Sequence, residues 1–146
     1  MTPKDRPRIL MGNTYVTHTG LGHLYVTVNS DKEGHPQEVL ARMGKSGGCV
    51  SSQIEGIGRL ISCALQHGTE PQYIIRQLKG IRCPSPQKTE ETEILSCADA
   101  FAQALAWDLK IQIQEDNGSK CPKCKTGLKK VKNNLVCESC GFERAD

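Results

Sequence analysis

The 146-residue sequence lacks several features that identify common classes of protein. Its aromatic content is only 4%, and no apolar run approaches the roughly 18 to 20 residues that a membrane-spanning helix needs. The basic N-terminus is not followed by the apolar segment of a secretory signal. The chain is also too short for a catalytic barrel, which needs roughly 200 residues or more. We therefore expect a cytoplasmic protein with no membrane partner, built as one domain or as a domain plus a small module.

Two common functional motifs are also missing. The four histidines are His18, His23, His35 and His67. Their spacing does not match a metal-binding pattern such as HExxH, so we interpret them as polar surface or turn residues, with the first two facing each other across a hairpin. The stretch Gly44-Lys45-Ser46 resembles the end of a phosphate-binding loop, but the Walker spacing would require glycine in place of Val39. The chain therefore has no P-loop NTPase signature.

The net charge of +3 is unevenly distributed along the chain. From Ser119 onward there are seven Lys or Arg residues and three acidic residues, which gives this tail a charge of +4 and leaves −1 on the remainder. A basic tail can contact nucleic acid. We favour the alternative, a solvated surface around a small cationic module, and do not expect a nucleic-acid partner.

Eight cysteines without a signal peptide point to metal ligation or redox chemistry rather than to a disulfide-rich secreted fold. Four of them form two CxxC pairs separated by twelve residues: Cys121, Cys124, Cys137 and Cys140. Each CxxC turn directs two sulfurs to one point, as tetrahedral zinc requires, and metal binding can supply the folding energy of a polar module. We predict that these four are zinc ligands. A redox dithiol is the alternative, because a CxxC motif lowers the thiol pKa.

The other four cysteines have no paired spacing. They are Cys49, Cys63, Cys83 and Cys97. A buried, small, apolar role is the usual one for such residues, and we expect Cys63 to pack within a helix. Cys49, Cys83 and Cys97 each fall at the start of an element or in a turn, so their convergence on a second site is left open.

The N-terminal half of the chain predicts a small antiparallel sheet. Residues Thr14–Thr19 and Leu24–Val28 are rich in β-branched and aromatic side chains, and the second stretch alternates between apolar and polar residues. Gly20-Leu21-Gly22 supplies the flexible residues of a hairpin turn. A third strand is expected near Gln37–Met43, which completes a three-stranded sheet.

Three helices are expected after the sheet. The first begins near Ser51 and runs to Gly68, with Ser52 and Glu55 as a capping box. Gly56 and Gly58 suggest close packing of this helix on the sheet or on a partner. Its apolar face is Val50, Ile54, Ile57, Ile61 and Leu65. The second, shorter helix starts around Pro71 and ends at Leu78. Gln87 to Glu93 is expected to be a surface loop.

Ser96 is expected to cap the third helix, with Asp99 in its first turn. Its apolar stripe is Ala98, Phe101, Leu105, Leu109 and Ile113. The polar residues that follow suggest a domain boundary. We predict an α+β domain over residues 8–113, a linker over residues 114–120 and a zinc-ribbon-like module over residues 121–146.

One turn is a candidate anion site. It consists of Lys45, Ser46, Gly47, Gly48 and Cys49, and it leads directly into the first helix. A glycine-rich turn at a helix N-terminus presents unpaired backbone N–H groups and the positive end of the helix dipole. These residues are candidate ligands for a nucleotide phosphate or a similar anion, although the local pattern favours a tight structural turn.

The combination of several short motifs resembles the TSCPD domain, which lies near the C-terminus of adenosylcobalamin-dependent (class II) ribonucleotide reductases. The resemblance covers about residues 8 to 108 and rests on six stretches: Thr17–Gly20, Leu24–Asn29, Gly44–Cys49, Gly58–Ser62, Gln77–Pro84 and Ser96–Ala100. The CxxC pairs resemble the cysteine-rich tail that follows this domain in those enzymes. Family members also occur as short, free-standing proteins.

The resemblance implies a connection with DNA synthesis but no complete active site. The radical chemistry and the adenosylcobalamin of these reductases belong to a barrel that this chain lacks, so the cofactor would be present only in a partner reductase chain. We favour a non-catalytic accessory or regulatory module that binds that enzyme or a nucleotide-like anion. One alternative is the redox component of a split reductase, in which the resemblance makes Cys137 and Cys140 the redox pair. Another is a free-standing protein that binds a small phosphorylated ligand, with sites at the interfaces of a homo-oligomer.

Overall fold

The computed structural model describes residues 2–44, 48–90, 92–111, 121, 123–124, 129–131 and 134–145. The chain divides into two compact units, Met1–Gln112 and Ile113–Asp146. We refer to them as the first and second units. The predicted linker, residues 114–120, lies outside the described residues.

The first unit is an α+β structure, as the sequence predicts. Strands β1 (Met11–Thr19), β2 (Gly22–Ser30) and β3 (Pro36–Met43) form an antiparallel sheet in the order β1-β2-β3. Helices α1 (Cys49–Gln66) and α2 (Pro71–Leu78) follow. Two very short strands, β4 (Gln87–Lys88) and β5 (Glu93–Ile94), then pair before helix α3 (Cys97–Asp108). This small hairpin replaces the expected loop, and it buries the side chain of Ile94.

The core of the first unit lies between one face of the sheet and the helices. Leu24, Val26 and Val28 alternate along β2 and are fully buried, because successive strand residues point to opposite faces. Helix α3 packs against β2 and helix α1 against β3. The buried side chains of these two helices include Ile54, Ile61, Leu65, Phe101 and Leu105. Helix α3 is more central than its predicted stripe indicates, since every residue from Asp99 to Ala106 is buried. It ends at Asp108, so the predicted stripe residue Leu109 follows the helix as its C-cap, while Ile113 lies outside the described residues.

Helix α1 begins earlier than predicted, and the predicted capping box is wrong. Gly48 is the N-cap residue and no side chain caps the helix. Ser52 therefore lies inside the first turn, where its hydroxyl donates to the carbonyl oxygen of Cys49. Glu55 instead pairs with Arg59 one turn further on. Val50 is 40% exposed and does not belong to the buried face of the helix.

The two glycines of α1 differ in their surroundings. A methyl group on Gly58 would lie 3.1 Å from the carbonyl oxygen of Val39, so this glycine lets α1 approach β3 closely. The hydroxyl of Ser62 bonds to both the N–H and the carbonyl of Val39 at the same contact. A methyl group on Gly56, by contrast, would have no described atom within 4 Å apart from its chain neighbours and the adjacent helix backbone. Close packing on the sheet is therefore confirmed for Gly58 but is not observed for Gly56, where packing on a partner stays a prediction.

The tip of the β1–β2 hairpin contacts a distant part of the chain. A methyl group on Gly20 would overlap with the carbonyl oxygen and Cβ of Ser85. Gly22, at the other side of the turn, has a φ of 123°, a conformation that side chains with a Cβ rarely adopt. The hairpin turn is therefore built on two glycines for two separate reasons, contact at Gly20 and backbone conformation at Gly22.

The second unit contains a small antiparallel sheet. Strands β6 (Lys129–Val131), β7 (Asn134–Val136) and β8 (Glu143–Ala145) pair in the order β6-β7-β8. The buried side chains among its described residues are Cys121, Leu135 and Cys137. Two of these three are cysteines, so the apolar core described for this unit is very small.

Candidate functional site

The second CxxC pair lies in the turn between β7 and β8. Cys137 follows β7 directly, and its N–H donates to the carbonyl oxygen of Phe142 at 2.6 Å. The chain then turns back, with the N–H of Gly141 donating to the carbonyl oxygen of Cys137 at 2.9 Å. Gly141 has a φ of 70°, in the left-handed region that favours glycine. This tight turn brings Cys137 and Cys140 to the same end of the sheet.

The two CxxC pairs meet at one point. The sulfur atoms of Cys121, Cys124, Cys137 and Cys140 all lie within 4.8 Å of one another. The Cys121 and Cys140 sulfurs are 3.5 Å apart, and the Cys124 and Cys137 sulfurs are 3.3 Å apart. These distances exceed the roughly 2.05 Å of a disulfide bond. We call these four residues the cysteine cluster.

The cysteine cluster fits a tetrahedral metal ion such as zinc. Thiolate sulfurs bind zinc at about 2.3 Å, which places the sulfurs of an ideal tetrahedron about 3.8 Å apart. The two separations of 3.5 and 3.3 Å are slightly shorter than this, and all four sulfurs lie within 4.8 Å, so small side-chain rotations would let the cluster receive an ion. Cys121 and Cys137 are buried, whereas Cys124 and Cys140 are exposed at the surface. All four ligands come from the protein, which is typical of structural zinc sites.

The protonation of the cysteine cluster also indicates how it would bind a metal. A hydrogen bond from the Phe142 N–H lowers the pKa of Cys140, but desolvation and hydrogen bonds to the other three thiols outweigh it. The net result raises the pKa of Cys140 to about 12. Zinc binds thiolates. Metal binding must therefore release protons that the cluster holds in the absence of the ion.

One other group of three candidate ligands occurs among the described residues, formed by Asp31, Glu33 and His35. The Asp31 carboxylate accepts hydrogen bonds from the backbone N–H groups of His35, at 2.8 Å, and Glu33, at 3.1 Å. The bond from His35 contributes most to lowering the pKa of Asp31. These bonds are those of a turn that joins β2 to β3, and we assign no metal to it.

The predicted anion site is only partly described. Lys45, Ser46 and Gly47 lie outside the described residues. Gly48 has extended backbone angles, and its carbonyl oxygen accepts the Ser52 N–H at 3.0 Å. The first turn of α1 contains no acidic residue that would repel an anion.

The remaining cysteines do not form a metal site among the described residues, because no group of three ligands includes any of them. Cys49 and Cys63 are exposed, so the prediction of a buried role is wrong for both. Cys63 points away from the helix contacts and lies beside His67, with 3.6 Å between Sγ and Nδ1. Cys83 and Cys97 are partly buried. Burial raises the pKa of Cys97, which also interacts with the Thr19 hydroxyl and with Cys83.

Asp99 has a structural role that its predicted place in a helix first turn does not reveal. Its side chain is completely buried. One carboxylate oxygen accepts the Gly80 N–H at 2.9 Å and lies 3.3 Å from the Lys79 ammonium. The other oxygen accepts from the Leu95 N–H at 3.1 Å and from the Gln103 amide at 3.2 Å. Asp99 therefore joins three segments, while its own N–H donates to the capping hydroxyl of Ser96.

A cleft of about 420 Å³ lies beside β1 and was not foreseen from the sequence. Its walls combine apolar side chains with hydroxyl, imidazole and carboxylate groups: Val16, Thr17, His18, Thr89, Glu90, Thr92, Ile94 and Trp107. Trp107 also packs against Tyr15, with 6.0 Å between the ring centroids. These residues come from β1, from the β4–β5 hairpin and from α3, so no local sequence pattern connects them.

Comparison with known proteins identifies the class to which this architecture belongs. Residues 1–109 match the TSCPD domain, and the chain belongs to the TSCPD domain family. No curated protein and no solved structure matches the chain. Among the described helices, none combines the length and hydropathy needed to cross a membrane.

Proposed function

We propose that this chain is a non-catalytic, zinc-binding accessory or regulatory module related to class II ribonucleotide reductase. The observation that carries this proposal is the meeting of four cysteine sulfurs within 4.8 Å in a chain whose residues 1–109 form a TSCPD domain. A site with four protein ligands leaves no open position for substrate, which is the arrangement of a structural zinc rather than a catalytic one. We therefore assign no catalytic residue.

Zinc would have a structural role in the second unit. The ion supplies the cross-link that holds two thiolate-bearing turns together, and its binding energy contributes directly to folding. Cys137 and Cys140 are already positioned by the turn between β7 and β8, and Cys121 and Cys124 complete the cysteine cluster. The adenosylcobalamin of the reductase reaction would remain with a partner reductase chain.

We further propose that the turn formed by residues 45–49 binds a nucleotide or a phosphate-like anion. The support is the N-cap of α1 at Gly48: among the described residues no side chain makes a capping hydrogen bond there, and no acidic residue lies in the first turn. Backbone N–H groups and the helix dipole attract anions at such a position. Lys45 would add a positive charge.

The main alternative is the redox component of a split reductase, with Cys137 and Cys140 as a dithiol. In that case the sulfurs must be available for exchange, whereas zinc-bound thiolates are not. We favour zinc because all four sulfurs approach one another, as a tetrahedral ion requires. The other alternative, a free-standing oligomeric protein that binds a phosphorylated ligand, also uses the anion site and needs no reductase.

Measuring metal content together with free thiols distinguishes a zinc-binding cysteine cluster from a redox-active dithiol. We expect about one zinc per chain by elemental analysis, with four thiols that react only after a chelator is added. The exposed Cys49 and Cys63 should react in either case and calibrate the thiol titration. A metal-free chain in which Cys137 and Cys140 cycle with a dithiol reductant would contradict the zinc proposal.

Calorimetric titration tests the anion site separately. ATP and inorganic phosphate serve as probes, with Lys45→Ala as the test variant and Lys32→Ala, at an exposed lysine in another turn, as the matched control. We expect saturable binding that is lost in K45A and kept in K32A. Absence of saturable binding to the unmodified chain would contradict the anion site and leave the zinc proposal standing.

A further inference from the structure

His18 and His23 are brought face to face by the register of the β1–β2 hairpin. They are direct cross-strand partners, one pair before the turn. Their neighbours Thr17 and Leu24 are buried on the opposite face of the sheet, while both histidines are exposed. Side chains of directly opposed residues start from Cβ atoms about 4.5 to 5.5 Å apart. The pairing of the two strands therefore fixes the distance between the Cβ atoms of the two histidines.

The two imidazole rings lie close together and have no hydrogen-bond or ion-pair partner among the described residues. Their ring centroids are 4.4 Å apart, with an angle of 66° between the rings. Within the described part of the chain, neither ring makes a hydrogen bond or an ion pair with the protein. Their ring nitrogens are thus available to an external ligand.

We propose that His18 and His23 form a second metal site, which binds a divalent transition-metal ion such as Ni²⁺ or Zn²⁺. Imidazole nitrogens bind such ions at about 2.0 to 2.1 Å, so two nitrogens in one coordination sphere lie about 3 Å apart. Rings with centroids 4.4 Å apart reach that separation by small rotations of exposed side chains. The rigid hairpin reduces the conformational entropy that two independent ligands would lose.

The surroundings indicate what would complete the coordination. Two imidazoles leave positions open for water or for oxygen donors. His18 lines the cleft of about 420 Å³ together with Thr89 and Glu90. The ion would therefore lie at the edge of a space that can admit a ligand with an oxygen donor. This site differs in chemistry from the cysteine cluster, whose soft thiolates select zinc.

Nickel binding to the zinc-loaded, untagged full chain tests the proposal. Equilibrium dialysis with Ni²⁺ should show one saturable site while zinc is retained, and the NMR signals of the His18 and His23 rings should be selectively broadened. His18→Ala and His23→Ala should each weaken binding by at least about tenfold, since even indirect disturbance of a metal ligand typically costs 10- to 100-fold. His18→Asn and His23→Asn provide a second, polar replacement if an alanine variant folds poorly.

His35→Ala and His67→Ala are the matched controls, because both histidines are present at other positions of the first unit and should leave nickel affinity unchanged. Loss of binding in H35A, with H18A unaffected, would place the ion in the Asp31–His35 turn and overturn the proposal. Release of one zinc per nickel bound would place nickel in the cysteine cluster and would overturn the proposal as well. So would the absence of a saturable nickel site on the zinc-loaded chain.

Discussion

The two units of this chain differ in what stabilises the fold of each one. The first unit buries a continuous apolar core, with Leu24, Val26, Val28 and Phe101 fully removed from solvent. Among the described residues of the second unit, only Leu135 and two cysteines are buried. Hydrophobic burial is proportional to apolar area, so the second unit has little of it and depends on its cysteine cluster. Treatments that disrupt one unit should therefore spare the other.

Removal of the metal should have the largest effect, and it should be confined to the second unit. Structural zinc contributes apparent binding free energies of about 10 to 16 kcal/mol in small zinc modules. We expect Cys137→Ser, or a strong chelator, to unfold the second unit while the resonances of the first unit persist in NMR spectra. Cys63→Ser, at an exposed cysteine outside the cluster, is the control. If the second unit stays folded without metal, its fold does not depend on the cysteine cluster, and the proposed difference between the two units is wrong.

Substitution of Asp99 should destabilise the first unit and spare the second. Asp99→Ala leaves the Gly80 and Leu95 N–H groups and the Lys79 ammonium without their acceptor. Breaking a buried charge pair typically costs about 3 to 5 kcal/mol, and we expect about 3 kcal/mol because Lys79 is partly exposed. Urea unfolding followed by helical circular dichroism measures this change. Asp5→Ala, at an exposed position, should have no comparable effect.

Substitution of the two α1 glycines by alanine should change the stability of the first unit in opposite directions. Gly58→Ala introduces a methyl group 3.1 Å from the Val39 carbonyl oxygen, which pushes the helix away from β3. We expect a loss of about 1 to 3 kcal/mol, as for other overpacked sites. The methyl group of Gly56→Ala would have no described atom within 4 Å beyond the local helix backbone, so this substitution should stabilise the first unit by up to about 1 kcal/mol through helix propensity. If both substitutions change the thermal unfolding temperature equally, close packing of α1 on β3 does not determine the effect of Gly58→Ala.

Zinc binding by the second unit should depend on pH. Because the pKa of Cys140 is raised to about 12, its thiol is protonated at neutral pH and must lose its proton to bind zinc. Zinc affinity should therefore fall as pH falls, by up to about tenfold per pH unit for each proton released. Competition with a coloured chelator across the neutral range measures the slope. A flat profile would indicate that the cluster is already deprotonated before the ion binds.

Tyr15 should give the smallest of these effects. Its hydroxyl donates to the Asp108 carboxylate at 2.9 Å, and desolvation together with this bond raises the pKa of Tyr15 to about 12. A raised folded-state pKa contributes stability below the unfolded value of about 10, and that contribution is lost as pH rises toward the folded value. Tyr15→Phe should cost about 1 kcal/mol at neutral pH.

The difference between the unmodified chain and Y15F should shrink above about pH 10. Thermal unfolding of both proteins across that range provides the measurement. Tyr73→Phe, at an exposed tyrosine of α2, is the control and should change stability little at any pH. A difference between Y15F and the unmodified chain that stays constant with pH would contradict the role assigned to the Tyr15–Asp108 bond.

Features defined by neighbouring residues could be predicted from the sequence. The alternation along β2, the cap at Ser96 and the CxxC spacing are all local, and the structure contains the corresponding strand, cap and cysteine cluster. The capping box failed because Gly48 begins α1 before Ser52, a choice that the local pattern did not determine. The cleft and the contacts of Asp99 could not be predicted, because their residues come from segments that only the folded chain brings together.

The contact between Gly20 and Ser85 limits how the first unit can vary. Because a methyl group on Gly20 would overlap with Ser85, this position of the hairpin turn cannot accept a side chain without displacing the segment that contains Ser85. The turn from Asp31 to His35 is exposed at Lys32, Glu33 and Gly34, and a Cβ on Gly34 would meet no described atom within 4 Å other than those of its chain neighbours. Of the two turns in the same sheet, the second is therefore the better place for a fused reporter or an inserted loop, while Gly20 in the first must stay small to keep its contact with Ser85.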